Sequence, residues 1–455
     1  MSKTSDEKRN YPRIKTNLKV HVLNDIAGES VDLSEGGMGF NSSEVISSPA
    51  ISLKIHFPEG NFDLKTSARL IWKRDLEEKS SLYGVEFVDL DETQRAILRK
   101  ELVKTQIHAL LDEIKSHEAK KQISHFFVRD LLDYISEIHT FASHLSYQKD
   151  YSLDLQKKLD HLNNHILLRG YCLEELLTDN RVMEKVKDSF RQLLGVWLYK
   201  SICMKRGLDK PRGYPGDYKM LEIVYDNKAI SKGIGEYFDN YFLKSPYAVA
   251  VRIRKDHVRE ILQDFINKST LNKIEILNIA CGPCREIKEL LPNITNKNPI
   301  VFICLDRDEE ALDFSNKVFL KNTPPNVTVK FVKEDIMNMI KSQTAEQAYG
   351  KYDLIYSIGL IDYLPDGILK KLIQALYQLL RKEGRLVLTH KNSEKTFPPI
   401  PPDWACDWKF VSRDRDEVIK LFHDSGISDF SLTVESDDFE YIYYFTITRQ
   451  FSNAN

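Results

Sequence analysis

No run in the 455-residue sequence approaches the ~18 consecutive apolar residues that a membrane-spanning helix needs, so no membrane span is expected. Charge of one sign is not in excess. The 65 Lys and Arg face 67 Asp and Glu, a formal net charge of -2, which gives no footing for a nucleic-acid or lipid-headgroup surface. Cysteine is sparse, with Cys172, Cys203, Cys281, Cys284, Cys304 and Cys406 scattered without framework spacing. That excludes a disulfide scaffold and fits a reducing compartment. The HExxH pattern is absent and Cys281-x-x-Cys284 has no second Cys/His pair nearby, so no metal site is expected and a packing role is favoured for those thiols. Repeats and low-complexity tracts are missing too. The opening MSKTSDEKRN is charged and polar rather than signal-like, so a cytoplasmic location is expected.

What remains is the composition of a soluble globular protein, 42% hydrophobic and 29% charged, with a length that calls for two or three domains. Two short motifs stand near the start, Arg9-x-x-x-Arg13 and Asp32-x-Ser34-x-x-Gly37. Arginine is always charged and donates a planar fork that suits phosphate or the O6/N7 edge of guanine. Asp32 and Ser34 supply an acceptor and a hydroxyl at a tight turn, where Gly36 and Gly37 allow positive φ and close backbone approach. This pair resembles the PilZ domain, a small β-barrel that binds cyclic di-GMP in bacteria. The resemblance extends through Ala68-Arg69-Leu70-Ile71-Trp72 and Tyr83-Gly84-Val85-Glu86-Phe87. It implies a dinucleotide site at Arg9, Arg13, Asp32, Ser34 and Gly37.

Local patterning agrees with a barrel over residues 1–95. Leu18, Val20 and Val22 alternate with polar residues, as do Ile51, Leu53, Ile55 and Phe57, then Tyr83, Val85 and Phe87; period two marks strands buried on one face. Asp91 with Gln94 reads as a capping box that opens a helix. Residues 96–245 read as a helical bundle or linker, with Ile107, Leu110, Leu111 and Ile114, then Phe127, Leu131, Tyr134, Ile138, Phe141 and Leu145, at helical spacing. Its last part holds a Pro/Gly-rich loop, Lys210-Pro-Arg-Gly-Tyr-Pro-Gly-Asp-Tyr218. That loop gathers a guanidinium, a carboxylate and two phenols, and is read as an elbow or a lid.

Residues 246–455 alternate strand, loop and helix, predicting a doubly wound α/β sheet with its ligands at the carboxyl ends of the strands. Strands are predicted at 274–280, 301–305, 327–332, 353–357, 385–388 and 441–448. Asp306 ends the second of them, 24 residues after Gly282, the place from which a carboxylate reaches ribose hydroxyls. One glycine stands where a GxGxxG pyrophosphate cradle needs three. The arrangement resembles class I S-adenosylmethionine-dependent methyltransferases, although Asn278, Ala280 and Cys284 replace an acidic residue and two glycines of the family pattern. The resemblance implies that Ala280 and Gly282 border the methionine part of the cofactor, and that Arg285 lies at the cofactor site or, like Arg212, pairs with an acid substrate. It places Asp306 on the ribose, Asp335 and Ile336 at adenine, and Ser357 and Gly359 beside the transferred methyl.

A closer resemblance covers residues 206–449. Arg212-Gly-Tyr-x-Gly-Asp-Tyr218, Ala280-Cys-Gly-Pro-x-Arg-Glu286 and Tyr356-Ser-x-Gly-Leu-x-Asp-Tyr-Leu364 are similar to three signatures of a family that includes the 3-hydroxypalmitate methyl ester synthases. It implies Arg212, Tyr214, Asp217 and Tyr363 on the acceptor side, with His390 as a base should the acceptor be a hydroxyl or amine. The expected whole is a multidomain protein with an antiparallel β-barrel, a central helical bundle and a Rossmann-like methyltransferase. The expected function is methyl transfer to a small-molecule acceptor, a fatty or hydroxy-fatty acid carboxylate first among them, in response to cyclic di-GMP. Two alternatives stand beside it: a catalytically weak effector acting on a protein partner, and a protein methyltransferase. A homo-oligomer is left open.

Overall fold

The computed structural model describes residues 11–22, 26–76, 80–145, 147, 150–319, 323–341, 347, 349–395 and 401–450. The chain divides into two compact units, Met1–Lys205 with Ile230–Tyr241, and Arg206–Ala229 with Phe242–Asn455. The helices that follow the barrel therefore group with it, while the Pro/Gly-rich loop groups with the α/β sheet.

In the first unit the strands are β1 (Ile14–Lys15), β2 (Lys19–Val22), β3 (Ile26–Ser34), β4 (Gly37–Ser42), β5 (Ala50–Phe57), β6 (Phe62–Asp75) and β7 (Ser81–Phe87). They pair antiparallel in the order β1-β3-β2-β5-β6-β7-β4, and a β3–β4 pairing closes six of them into a barrel. Closure follows from the alternation: Val20, Val22, Leu53, Ile55, Phe57, Tyr83, Val85 and Phe87 all turn inward and are buried, and a closed ladder leaves no edge among the six. Helices α1 (Glu92–Glu113), α2 (His117–His125), α3 (Leu132–His144), α4 (Leu153–Leu176) and α5 (Asn180–Leu198) follow. The capping box forms as read. Gln94 N donates to Asp91 Oδ1 at 2.7 Å, and Asp91 N to Gln94 Oε1 at 3.0 Å. A π-helical turn, Phe126–Leu131, joins α2 to α3.

The chain continues through α6 (Ile202–Asp209), α7 (Tyr218–Asp226), α8 (Ile234–Lys244) and α9 (Pro246–Lys268). The sheet of the second unit then comprises β8 (Ile274–Ile279), β9 (Ile300–Asp306), β10 (Val327–Lys333), β11 (Tyr352–Ser357), β12 (Leu380–Lys391), β13 (Phe430–Ser436) and β14 (Ile442–Arg449). Their order is β10-β9-β8-β11-β12-β14-β13. The first five run parallel and β14 is antiparallel to both of its neighbours. Helices α10 (Arg285–Leu290), α11 (Glu309–Phe319), α12 (Ile336–Lys341), α13 (Asp366–Gln378) and α14 (Arg415–His423) complete the unit. Successive strand residues serve opposite faces. Ile276, Leu354 and Val387 pack with Val258, Leu262 and Ile266 of α9, whereas Leu277, Ile355 and Leu386 pack with Leu369, Leu372 and Leu376 of α13. The order reverses between β8 and β11, so the loops after these two strands diverge and open a crevice at the carboxyl edge. Strand β13, which the sequence pattern did not disclose, pairs among the described residues with β14 alone and is half exposed.

Candidate functional site

The loop after β8 carries three left-handed residues at alternate positions, Ala280 (φ 53°), Gly282 (φ 53°) and Cys284 (φ 49°). Only glycine adopts this region freely; each other residue pays roughly 1–2 kcal/mol. The loop thus keeps a glycine-type conformation where two glycines of the family pattern are replaced. Its backbone is aimed by the neighbouring strand: Gly282 N donates to Asp306 Oδ2 at 2.8 Å, and Asp308 N to Asp306 Oδ1 at 2.8 Å. Burial pushes the Asp306 carboxyl up, against these two backbone donors.

Asn278 occupies the strand end where an acid was expected, and the acid arrives from α10 instead. Glu286 Oε1 accepts from Asn278 Nδ2 at 3.0 Å and from Tyr356 Oη at 2.8 Å. Burial pushes its carboxyl up to about 7 despite those bonds. Cys281, Cys284 and Cys304 are buried in the core under the loop, and burial raises all three thiols well above their ordinary range. They pack there as neutral thiols.

Arg285 reaches away from the loop to Glu222 and Asp226 of α7 and to Glu289, at 2.8 Å each. Asp335 Oδ1 accepts from Met337 N at 2.8 Å and so caps α12, with Ile336 its first residue. Ser357 Oγ donates to the Ile279 carbonyl at 2.7 Å, tying β11 to β8. Gly359 has φ 81°, and a Cβ there would lie 2.5 Å from the Arg254 guanidinium. Glycine is required on both counts.

The Pro/Gly-rich loop spans from Asp308, beside the Asp306 turn, to Trp408 on the opposite wall. Arg212 forks onto Asp308 at 3.0 and 2.5 Å and reaches Glu310 at 2.8 Å. Burial opposes ionisation of Asp308, but Arg212 holds its carboxyl below the usual range. Tyr214 Oη lies 3.4 Å from Asp308 Oδ2. Arg212 and Tyr214, expected on the acceptor side, therefore stand beside the Asp306 turn. Asp217 is fully buried. It caps α7 through Met220 N at 2.9 Å and is forked by Arg206 at 2.9 and 2.5 Å, which makes it a structural post. At the far end Gly216 lies against Trp408, and Trp408 Nε1 donates to Tyr363 Oη at 2.9 Å.

That far wall holds the group that sequence reasoning missed. Asp362, 2% exposed, accepts from Arg254 Nη1 at 2.9 Å and from Lys391 N at 3.1 Å, and His390 Nε2 lies 3.9 Å away. Burial opposes its ionisation, yet Lys391, His390 and Arg254 together hold the carboxyl below its usual range. Among the described residues none hydrogen-bonds Lys391 Nζ, Arg254 Nε or His390 Nε2. Burial pushes the Lys391 ammonium well below the lysine range, and lowers His390 as well. The rings of Phe410 and Tyr247 face the Lys391 amine. A desolvated cation–π contact is worth about 2 kcal/mol, less than the several kcal/mol that burying an ammonium costs. Position 391 had a readable signal: a lysine closing the strand Leu386-Val-Leu-Thr-His-Lys391, beside His390, which was singled out.

In the first unit Arg13 binds Asp32 Oδ1 at 2.6 Å, and the same oxygen accepts from Gly39 N at 2.8 Å. Ser34 Oγ donates to the Gly37 carbonyl at 3.0 Å across a two-residue hairpin. Arg9 lies outside the described residues. Neither Gly36 nor Gly37 takes positive φ, which corrects the expectation. Gly37 is needed because a Cβ would come within 2.1 Å of the Val85 carbonyl on β7, and Gly36 lies against the Tyr11 ring. Between them, Glu35 points inward to Arg99 of α1.

Residues 7–104 match the family model of the PilZ domain, and residues 276–384 match that of a methyltransferase domain. The chain carries both domains. Among solved structures, a possible exported protein from Bordetella parapertussis is 16% identical, with 74% of this chain and 100% of that one covered and a TM-score of 0.41. Magnesium protoporphyrin IX methyltransferase from Synechocystis PCC 6803, solved with S-adenosylmethionine, is 14% identical over 45% of this chain and 83% of its own, with a TM-score of 0.32. The N-methyltransferase NodS from Bradyrhizobium japonicum is 13% identical over 43% and 97%, with a TM-score of 0.30. No curated protein matches the sequence. No helix among the described residues is long and apolar enough to cross a membrane.

Proposed function

We propose that the second unit transfers a methyl group from S-adenosylmethionine to the carboxylate of a small apolar acid, of the fatty or hydroxy-fatty type, and that cyclic di-GMP bound to the first unit sets that activity. The observation that carries the reading is the left-handed 280–284 loop hydrogen-bonded to Asp306 at the switch point of the sheet. The residues fit an S-adenosyl group. Each Asp306 oxygen is held by one backbone donor and keeps a lone pair for a ribose hydroxyl, and a Cβ at Gly282 would meet only Leu221, at 3.6 Å.

Bound S-adenosylmethionine supplies an electrophilic methyl on a sulfonium. The chain does the rest by placement. Asp306 takes the ribose, Ala280 and Gly282 pass their backbone beside the methionine part, Asp335 and Ile336 flank adenine, and Ser357 and Gly359 form the floor where the acceptor arrives. An acceptor carboxylate is ionised at neutral pH. Its oxygen forms the new O–CH3 bond as the S–CH3 bond breaks, the electron pair stays on sulfur, and no proton moves. Positioning then supplies the acceleration, and His390 has no proton to take. The 210–217 loop closes the crevice from Asp308 to Trp408 as a lid, with Arg212 as its latch on the cofactor side. In the first unit Arg9 and Arg13 clasp the dinucleotide against Asp32, Ser34 and Gly37.

Calorimetry with S-adenosylhomocysteine tests the cofactor reading: the wild type binds it, and Asp306→Ala loses at least about tenfold, near 1.4 kcal/mol, with its fold retained. A wild-type chain that gives no binding heat is instead a methyltransferase-fold effector, and the proposal fails.

A further inference from the structure

Arg254 Nε, His390 Nε2 and Lys391 Nζ, which no described residue hydrogen-bonds, cluster around Asp362 beside Gly359. Gly359, the floor of the crevice, donates its N–H to Thr389 Oγ1 at 3.1 Å and lies against the Arg254 guanidinium. One carboxylate, Asp362, faces two basic side chains, Arg254 and Lys391, and all three are buried. With Lys391 protonated, the cluster lacks one anion among the described residues. It is also flanked on one side by aromatic rings. The Tyr247 and Phe410 centroids are 5.5 Å apart, Phe410 and Trp408 5.7 Å, and Phe410 and Tyr363 5.5 Å. Tyr247 and Trp408 are buried, whereas Tyr363, at the other end of this wall, is 41% exposed.

We propose that Lys391, backed by Arg254, is the counter-ion for the carboxylate of the methyl acceptor, and that the wall of Tyr247, Phe410, Trp408 and Tyr363 receives the acceptor's apolar body. The assignment rests on the methyltransferase reading of the same crevice and adds to it the residues that choose the acceptor class. An amine would meet two cations here, and a neutral alcohol would leave the amine unpaired. A carboxylate supplies the missing charge and allows Lys391 to hold its proton in the interior. The contact also favours turnover, because the ester product is neutral and no longer holds the cation. Asp362 keeps Arg254 in place and is a positioning residue.

The test uses the full chain and three probes that share one alkyl chain, decanoate, decan-1-ol and decylamine, titrated by calorimetry with and without saturating S-adenosylhomocysteine. Wild type binds decanoate at least about tenfold more tightly than either other probe. Lys391→Met removes that preference while binding S-adenosylhomocysteine and decanol as the wild type does, and Lys391→Arg restores part of it. In turnover of decanoate, Lys391→Met raises KM far more than it lowers kcat. Equal decanoate affinity in wild type and Lys391→Met, preference for decylamine, or no decanoate binding by the wild type would each overturn the assignment. Failure of the cofactor reading registers separately, as absence of S-adenosylhomocysteine binding, and the titrations run without it still judge Lys391.

Discussion

Glu286 shows how one side chain sets a testable pH dependence. Burial raises its carboxyl from the ordinary 4.5 to about 7, opposed by the Tyr356 and Asn278 hydrogen bonds. A raised acid is easier to ionise in the unfolded chain. Its contribution to stability is therefore complete below about pH 4.5 and is lost as pH climbs through about 7, a total on the order of 3 kcal/mol. Glu286→Gln cannot ionise and keeps an oxygen for Tyr356. Urea unfolding, followed by the fluorescence of Trp404 and Trp408, should show the wild type losing ground to Glu286→Gln between pH 5 and 8. A constant difference between the two proteins across that range would mean that Glu286 does not titrate there. The sequence motif contained Glu286 but gave no hint of its part, because burial of an acid depends on what the fold brings above it. Asp306 was legible, since a carboxylate ending a second parallel strand has one place to point. Asp217 has the setting of a helix cap, an Asp at the end of a Pro/Gly loop just before an apolar helix, and takes that place through Met220 N. Arg254 gave no such signal as position 391 did, because it lies more than a hundred residues from Lys391 and shares Asp362 with it only once the chain is folded.

Among elements, a buried ion pair in the first unit joins the hairpin of the Asp32–Gly37 motif to α1. Arg99 forks onto Glu35 at 2.8 and 2.7 Å and donates to Ser136 Oγ of α3 at 3.0 Å, while Arg95 Nη1 donates to the Glu35 carbonyl at 2.9 Å. Glu35 is 1% exposed, so its loss strands a buried guanidinium. Glu35→Ala should cost about 3–5 kcal/mol, whereas Glu35→Leu with Arg99→Met should recover most of it by removing both charges. Urea unfolding read through Trp72 and Trp197 measures the cycle; additive losses in the double variant would show that the pair is not coupled. This junction also explains a limit of sequence reading. The strands of the barrel and the six-strand pattern of the α/β sheet were legible because alternation is a local property, and the cap of α1 because it spans four residues. That α1 to α5 group with the barrel was not legible, since amphipathic periodicity marks a buried face without naming what buries it. Strand β13 escaped for a related reason: a half-exposed edge strand shows little alternation.

For the molecule as a whole, the question is whether the two domains act on one another, and linkage makes that measurable without knowing the acceptor. If cyclic di-GMP sets the activity of the second unit through cofactor binding, its saturation changes the affinity for S-adenosylhomocysteine by some factor, and the cofactor product must change cyclic di-GMP affinity by the same factor. Couplings of this kind usually amount to about 1–3 kcal/mol, or roughly 5–150-fold. Calorimetry of each ligand, alone and with the other prebound, should therefore give two equal ratios well removed from one. The double variant Arg9→Ala with Arg13→Ala supplies the control. It should lose cyclic di-GMP binding, keep the uncoupled affinity for S-adenosylhomocysteine, and show no response to added dinucleotide. Whether turnover rises or falls at saturating cyclic di-GMP decides between activation and inhibition. Ratios of one in both directions, together with unchanged turnover at saturating cyclic di-GMP, would mean that the chain joins a receptor and an enzyme without coupling them. In that outcome the Lys391 assignment still stands on its own titrations, because every group it invokes lies within the second unit.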